Sequence, residues 1–101
     1  MTYRPKYANN ETDLLFKAMR TLESDEDYYR FFEDLCTINE QLALAQRFTI
    51  AKMLSEDHTY QYIEEKTGAS TATISRINRF LKYGAEGYRA AIDKLKTDSQ
   101  P

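Results

Sequence analysis

The stretch that decides the fold is TYQYIEEKTGASTATISRINRFLK, residues 59–82. Thr59 is a residue that starts helices, and Gly68 predicts the end of that helix, because a left-handed backbone is easiest without a Cβ. Ser70 is a second N-cap residue, so a second helix is expected directly after it. A helix, a tight glycine turn and a capped helix are what two steeply crossing helices require. The 59–82 segment therefore predicts a helix-turn-helix.

The second helix of the 59–82 segment has an apolar stripe and a polar face. Ile74, Ile77 and Leu81 form the stripe, and Ile63 on the first helix is placed to meet Ile74. The polar face carries short side chains and arginines, which suit a helix that approaches base edges with its N-terminal end. We predict DNA contacts from this helix and, more weakly, from the first residues of the preceding one: Tyr60, Gln61, Ser70, Thr71, Ala72, Thr73, Ser75, Arg76 and Arg79.

The charge of the chain is distributed unevenly. With 14 Lys and Arg against 16 Asp and Glu, the 101 residues carry a net charge of −2, which by itself argues against a nucleic-acid partner. Between Ser70 and Lys82, however, the charged residues are Arg76, Arg79 and Lys82, with no acid among them. Because binding depends on where charges lie, this local excess supports DNA binding better than the total opposes it.

The rest of the chain also predicts helices. Both prolines lie at the ends, at positions 5 and 101, so the middle contains no strong helix breaker. Asn10, Ser24 and Thr37 are placed to cap three helices upstream of the 59–82 segment. The third of these helices has apolar residues on more than one face, which predicts a central and largely buried position.

GASTATISR, residues 68–76, is similar to the Gly-Ala-x-x-Ala-Thr-Ile-x-Arg pattern of the tryptophan repressor superfamily. The chain resembles its branch of small YerC/YecD-type proteins over residues 10–96. This resemblance implies an all-α, six-helix fold in an intertwined homodimer, whose body includes a last helix near residues 86–96. Residues 1–9 would be a flexible arm and residues 97–101 a flexible tail. Two helix-turn-helix units one DNA turn apart would bind a roughly palindromic site in double-stranded DNA.

The resemblance also allows the amino-acid pocket of the tryptophan repressor to be compared by position. Thr37, Arg47 and Arg76 match residues of that pocket. Ile77 stands where the repressor has a glycine that admits the indole, and Phe80 stands where it has a serine. Because extra volume in a packed site is unfavourable by roughly 1–3 kcal/mol, we expect Ile77 and Phe80 to fill the slot. Tryptophan is therefore not expected as a cofactor.

Two functions remain open at this point. The first is a DNA-binding transcriptional regulator of the repressor type. The second is a helical protein-interaction dimer that has lost DNA binding, which Glu64, Glu65 and the negative net charge favour. No combination of residues predicts an enzyme or a metal site, and His58 is expected in an exposed loop. A single cysteine, Cys36, and the lack of a long apolar run suit a cytoplasmic protein without a membrane span.

Overall fold

The computed structural model describes residues 3–98, and these form six α-helices and no strand. The all-α, six-helix prediction is confirmed. The helices are α1 (Asn10–Met19), α2 (Asp25–Leu35), α3 (Ile38–Ser55), α4 (Tyr60–Thr67), α5 (Thr71–Tyr83) and α6 (Gly87–Asp98).

The chain up to Ile38 forms one compact unit, which contains α1 and α2. The N-cap of α1 is Asn9, whose side chain accepts a hydrogen bond from the Thr12 N–H at 2.9 Å. The predicted cap, Asn10, is instead the first helical residue. Two adjacent asparagines offer the same capping chemistry, so the sequence does not separate them. The helix start was therefore predicted one residue late.

The segment before α1 is attached to that helix. Arg4 donates two hydrogen bonds to the Asp13 carboxylate, at 2.8 and 3.1 Å, and the Ala8 N–H bonds the Pro5 carbonyl at 3.1 Å. The hydrogen bonds from Arg4 hold the pKa of Asp13 below its ordinary value. The sequence predicts a flexible arm over residues 1–9. Of these, Arg4 is bonded to α1 and Asn9 caps it, while residues 1 and 2 lie outside the described residues.

The cap of α2 is the predicted Ser24. Its side chain accepts from the Asp27 N–H at 3.1 Å, and the Asp27 carboxylate accepts from the backbone N–H groups of Glu23 and Ser24. These backbone donors stabilise the ionised carboxylate, so the pKa of Asp27 lies below its usual range. Despite these good caps, neither α1 nor α2 contains a buried residue. The apolar faces of both helices are therefore only partly covered in the single chain.

From Asn39 onward the chain forms a second compact unit, built around one apolar core. Burying each isoleucine side chain of this core contributes about 1.5–3 kcal/mol. Because α4 and α5 both contribute to it, the core fixes these two helices against each other. The buried residues are Ile50, Ala51, Ile63, Ile74, Ile77, Leu81 and Ile92.

Helix α3 is buried only in its C-terminal half. Ile50 and Ala51 are fully buried, and Phe48 packs against the core, whereas Leu42 is 63% exposed and Leu44 46%. The prediction of a largely buried α3 is wrong for the single chain. Its physical basis was correct in one respect, since the apolar residues do cover several faces, but the chain itself covers only the C-terminal turns.

Helix α6 extends further than expected. Thr97 and Asp98, which the sequence assigned to a flexible tail over 97–101, belong to this helix, and residues 99–101 lie outside the described residues. Within residues 3–98, no helix has the length and apolar character needed to cross a membrane.

Candidate nucleic-acid interface

Helix α4 begins and ends where its sequence predicts. The Thr59 side chain accepts a hydrogen bond from the Tyr62 N–H at 3.1 Å, which satisfies one of the free donors of the first turn. Gly68 ends the helix with φ of 75°, the left-handed conformation expected for it, and its N–H bonds the Glu64 carbonyl. Both predictions are confirmed.

The turn after Gly68 is fixed by hydrogen bonds at both ends. Gln46 on α3 donates to the Thr67 carbonyl at 2.9 Å, and the Ala69 N–H donates to the Thr67 hydroxyl at 3.2 Å. Ser70 then caps α5, accepting from the Thr73 N–H at 3.2 Å, as predicted. The end of α4 is thus attached to α3 through Thr67, and the turn that leads from it into α5 is held by its own hydrogen bonds.

Helix α5 divides into the two faces that the sequence indicates. Ile74, Ile77 and Leu81 are at most 4% exposed and lie in the core, together with Ile63 of α4. The other face is polar and cationic, and its members are exposed apart from the half-buried Thr73. Such a face offers hydroxyls, one methyl-sized side chain and two guanidinium groups to a ligand. The predicted contact residues on it are Ser70, Thr71, Ala72, Thr73, Ser75, Arg76 and Arg79.

The two predicted contacts on α4 differ from each other. Gln61 is exposed, but Tyr60 is half-buried and its ring packs against the apolar core. Tyr60 therefore has a structural role in this unit, and only part of its surface is available. The sequence could not separate these roles, because an aromatic residue with a polar hydroxyl suits both a core edge and a surface.

Two features of α4 were not predicted. The Thr71 hydroxyl, at the start of α5, donates a hydrogen bond to the Glu64 carboxylate of α4. On the exposed side of α4, the ring of His58 stacks on that of Tyr62 with centroids 4.6 Å apart, and Lys66 Nζ lies 5.5 Å from the centroid of the Tyr62 ring. His58 is exposed, as expected, and its Nε2 lies 3.9 Å from a Glu56 carboxylate oxygen.

A pocket of about 320 Å³ lies beside α5, at the small end of the range for ligand sites. It brings together four of the five residues compared with the amino-acid pocket of the tryptophan repressor, while Thr37 belongs to the first unit. Both Ile77 and Phe80 were expected to fill the slot for the indole. Ile77 is buried, but Phe80 is 55% exposed and does not fill it in the single chain. The sequence did not indicate Tyr88. The lining residues are Arg47, Thr73, Arg76, Ile77, Phe80 and Tyr88.

The position of Phe80 follows from helix geometry. It is one residue before Leu81 and three after Ile77, and so lies at the edge of the stripe that faces the core. Its ring contributes to the rim of the pocket rather than to the packed interior. Within the described residues, no group of three or more His, Cys, Asp or Glu side chains is arranged to hold a metal ion.

Six helices, with a short glycine turn between a supporting helix and an exposed cationic one, define an all-α protein with a Trp-repressor-like fold. The chain belongs to the Trp repressor family, since the sequence model of the family described as Trp repressor protein matches residues 10–96.

Individual relatives agree with this assignment. The chain is 53% identical over 91 residues to the uncharacterized protein YerC of Bacillus subtilis (strain 168). The aligned region covers 90% of this chain and 88% of YerC. The crystal structure of a TrpR-like protein from Eubacterium eligens is 53% identical, with a TM-score of 0.87 over 90% of this chain and 94% of that one. A structure described as a candidate Trp repressor from Staphylococcus aureus is 46% identical, with a TM-score of 0.86 over 90% of this chain and 91% of that one.

Proposed function

We propose that this protein is a sequence-specific, DNA-binding transcriptional regulator of the repressor type, acting as a homodimer through the 59–82 segment. The observation that carries the proposal is the exposed face of α5. This face has short polar side chains and arginines and no acid, and it is held in place by a fully buried apolar stripe. Membership of the Trp repressor family supports the same function.

The geometry suggests how the face would bind DNA. Thr71, Ala72 and Ser75 are small enough for the N-terminal turns of α5 to enter a major groove. Arg76 and Arg79 are then available for the acceptors of guanine or for phosphates. Because Ile74 and Ile77 anchor the opposite side in the core, the helix would enter as a rigid element, with little ordering of the backbone on binding.

The proposed homodimer is supported by apolar surface that the single chain leaves uncovered. Leu14 of α1 is 68% exposed, and Ile38 and Leu42 at the start of α3 are 75% and 63% exposed. A second copy that packs against these helices would remove this surface from water, and it would place two copies of α5 about one DNA turn apart. Sedimentation of the full chain at micromolar concentration should give a dimer, and a monomer would contradict this part of the proposal.

We further propose that tryptophan does not control this regulator. Ile77 is buried at the pocket wall, where the tryptophan repressor has the glycine that admits an indole. The exposed position of Phe80 leaves this argument resting on Ile77 alone. A calorimetric titration of the full-length protein with tryptophan should give no micromolar binding, and heat of binding in that range would contradict it.

The second candidate is a protein-interaction dimer that does not bind DNA. The observation that favours it is the carboxylate of Glu64 on α4, which accepts a hydrogen bond from Thr71 at the start of α5. Together with the neighbouring Glu65, it adds negative charge that would repel DNA phosphates. Under either proposal, the free thiol of Cys36 suits a reducing cytoplasm. Neither proposal gives the protein an enzymatic role.

Selection of genomic fragments by the purified full-length protein separates the two candidates. For a selected fragment, Arg79→Ala should weaken binding about tenfold, whereas Arg89→Ala on α6 removes the same charge from another exposed position and should have a much smaller effect. If no fragment is retained even at low salt, the interaction dimer is the better account. Equal losses for the two variants would show that α5 is not the contact surface.

A further inference from the structure

The hydrogen bond between Glu64 and Thr71 joins the two helices of the 59–82 segment across the turn. Glu64 is half-buried on α4, and the Thr71 hydroxyl donates to its carboxylate. Thr71 is the first helical residue of α5 and is itself exposed. Because the hydroxyl is engaged, rotation about χ1 of Thr71 is restricted, and its methyl group is held in one direction.

The same bond places a negative charge at the positive end of α5. The first turn of α5 contains no acid of its own, and the N-terminal end of a helix attracts anions through its free N–H groups and its dipole. Glu64 supplies the anion from the neighbouring helix. A DNA phosphate that approached this end of α5 would meet a carboxylate already in position.

A carboxylate in a major groove discriminates between its possible partners. It repels phosphates, which carry no sequence information, and it accepts hydrogen bonds from the exocyclic amino groups of cytosine or adenine. A threonine methyl held beside it suits the C5-methyl group of thymine. Guanine or thymine at the same position offers only acceptors to the carboxylate, so the pair favours sites that place cytosine or adenine there over arbitrary DNA.

We infer that Glu64 and Thr71 together determine the sequence selectivity of α5. Glu64 acts by excluding the phosphate backbone from the N-terminal end of the helix and by orienting Thr71 toward the base edges. The partner it selects is an adenine or cytosine amino group at the position that faces Glu64, with a thymine methyl beside it in the major groove. This inference rests on the proposed DNA-binding function.

The test compares Glu64→Gln with Glu65→Gln in the full-length protein. Both variants remove one negative charge from α4, but Glu65 is an exposed neighbour. Affinities are measured for a selected genomic site and for random-sequence DNA, between 50 and 200 mM salt. Glu64→Gln should raise the affinity for random DNA roughly three- to tenfold at low salt, steepen the salt dependence and lower the ratio of specific to random binding. Glu65→Gln should leave that ratio near the wild-type value.

A second pair of variants tests the orientation of Thr71. Thr71→Ser keeps the donor to Glu64 and loses the methyl, whereas Thr71→Val keeps the shape and loses the donor. Thr71→Val should lower binding to the selected site, because the methyl groups are no longer held in one direction, and should leave random binding near the wild-type value, because the charge of Glu64 is kept. Thr71→Ser should also reduce binding to the selected site alone, because it loses the methyl. Thermal melting of each variant shows whether the fold is intact.

The outcomes separate this inference from the proposed function. Wild-type protein that binds no DNA would contradict the function, and the inference with it. Wild-type protein that binds a selected site, with Glu64→Gln and Glu65→Gln variants that have the same ratio, would overturn the inference alone.

Discussion

Replacing Gly68 with alanine isolates the conformational requirement of the turn on which the 59–82 segment depends. Gly68 has φ of 75°, and a Cβ built there meets no other atom within 4 Å. A clash therefore contributes nothing. The main effect comes from holding an L-residue in the left-handed region, which is unfavourable by about 1–2 kcal/mol and is offset in part by the smaller backbone entropy of alanine in the unfolded chain. We expect Gly68→Ala to lower the melting temperature by roughly 4–8 °C for each kcal/mol in a domain of this size.

Gly87 provides the matched control. A Cβ built there also meets nothing within 4 Å, but Gly87 does not have a positive φ and is the first residue of α6. Gly87→Ala should leave the melting temperature unchanged or raise it slightly, because alanine loses less backbone entropy on folding. Both variants are melted by circular dichroism at one protein concentration. Equal melting temperatures would refute the account of the turn.

Three further predictions follow from other parts of the molecule. Ile74 is fully buried between α4 and the rest of the core. Ile74→Ala should therefore lower the free energy of unfolding by about 2–5 kcal/mol, and Ile74→Val by only about 0.5–1.5 kcal/mol. Denaturant unfolding measures both values, and equal values would contradict the packing. Arg76→Ala should weaken DNA binding by about tenfold in a gel-shift assay without lowering the melting temperature, because Arg76 is exposed; unfolding of the variant would refute its assignment to the surface. Asp27 has a folded-state pKa below the ordinary value of 3.8, so its contribution to stability is complete well above that pH and is lost as the pH falls through the lowered pKa. Asp27→Asn should accordingly be less stable than the wild type at pH 7, and the difference should shrink as the pH falls through the lowered pKa; a difference independent of pH would contradict the role of its charge.

The local elements of the 59–82 segment could be predicted because their causes are local. Thr59, Gly68 and Ser70 each act on backbone groups within a few residues, and the structure places all three as the sequence indicates. The buried stripe of α5 follows from helical spacing in the same way. The first N-cap is Asn9 rather than Asn10, which shows the limit of this reasoning, because two adjacent asparagines are equally suited to cap a helix.

Contacts between helices were less predictable. The bond from Thr71 to Glu64 spans seven positions across a turn, and it depends on how α4 and α5 are oriented rather than on spacing within either helix. The bidentate attachment of Arg4 to Asp13 joins a segment without helical periodicity to a helix face. The exposure of Phe80 depends on which side of the stripe the neighbouring elements cover.

The burial of α3 could not be settled from one chain's pattern. Apolar residues such as Leu42 and Leu44 indicate a surface that must be covered, but the pattern does not state by what. In the candidate site, sequence comparison did identify residues that the structure brings together at one pocket, including Arg47, Arg76 and Ile77. Tyr88 was missed because the position-by-position comparison with the amino-acid pocket included no residue of α6.

The central claim is that the N-terminal face of α5 enters the major groove of double-stranded DNA. Protection of guanine N7 from methylation on a selected genomic fragment tests this most directly, because N7 lies in the major groove. The account predicts two protected patches about one helical turn apart. At a protein concentration that just saturates the wild-type site, both should be reduced in the Arg79→Ala variant and retained in Arg89→Ala. Binding without protection of N7, or protection that is not reduced in Arg79→Ala, would contradict it.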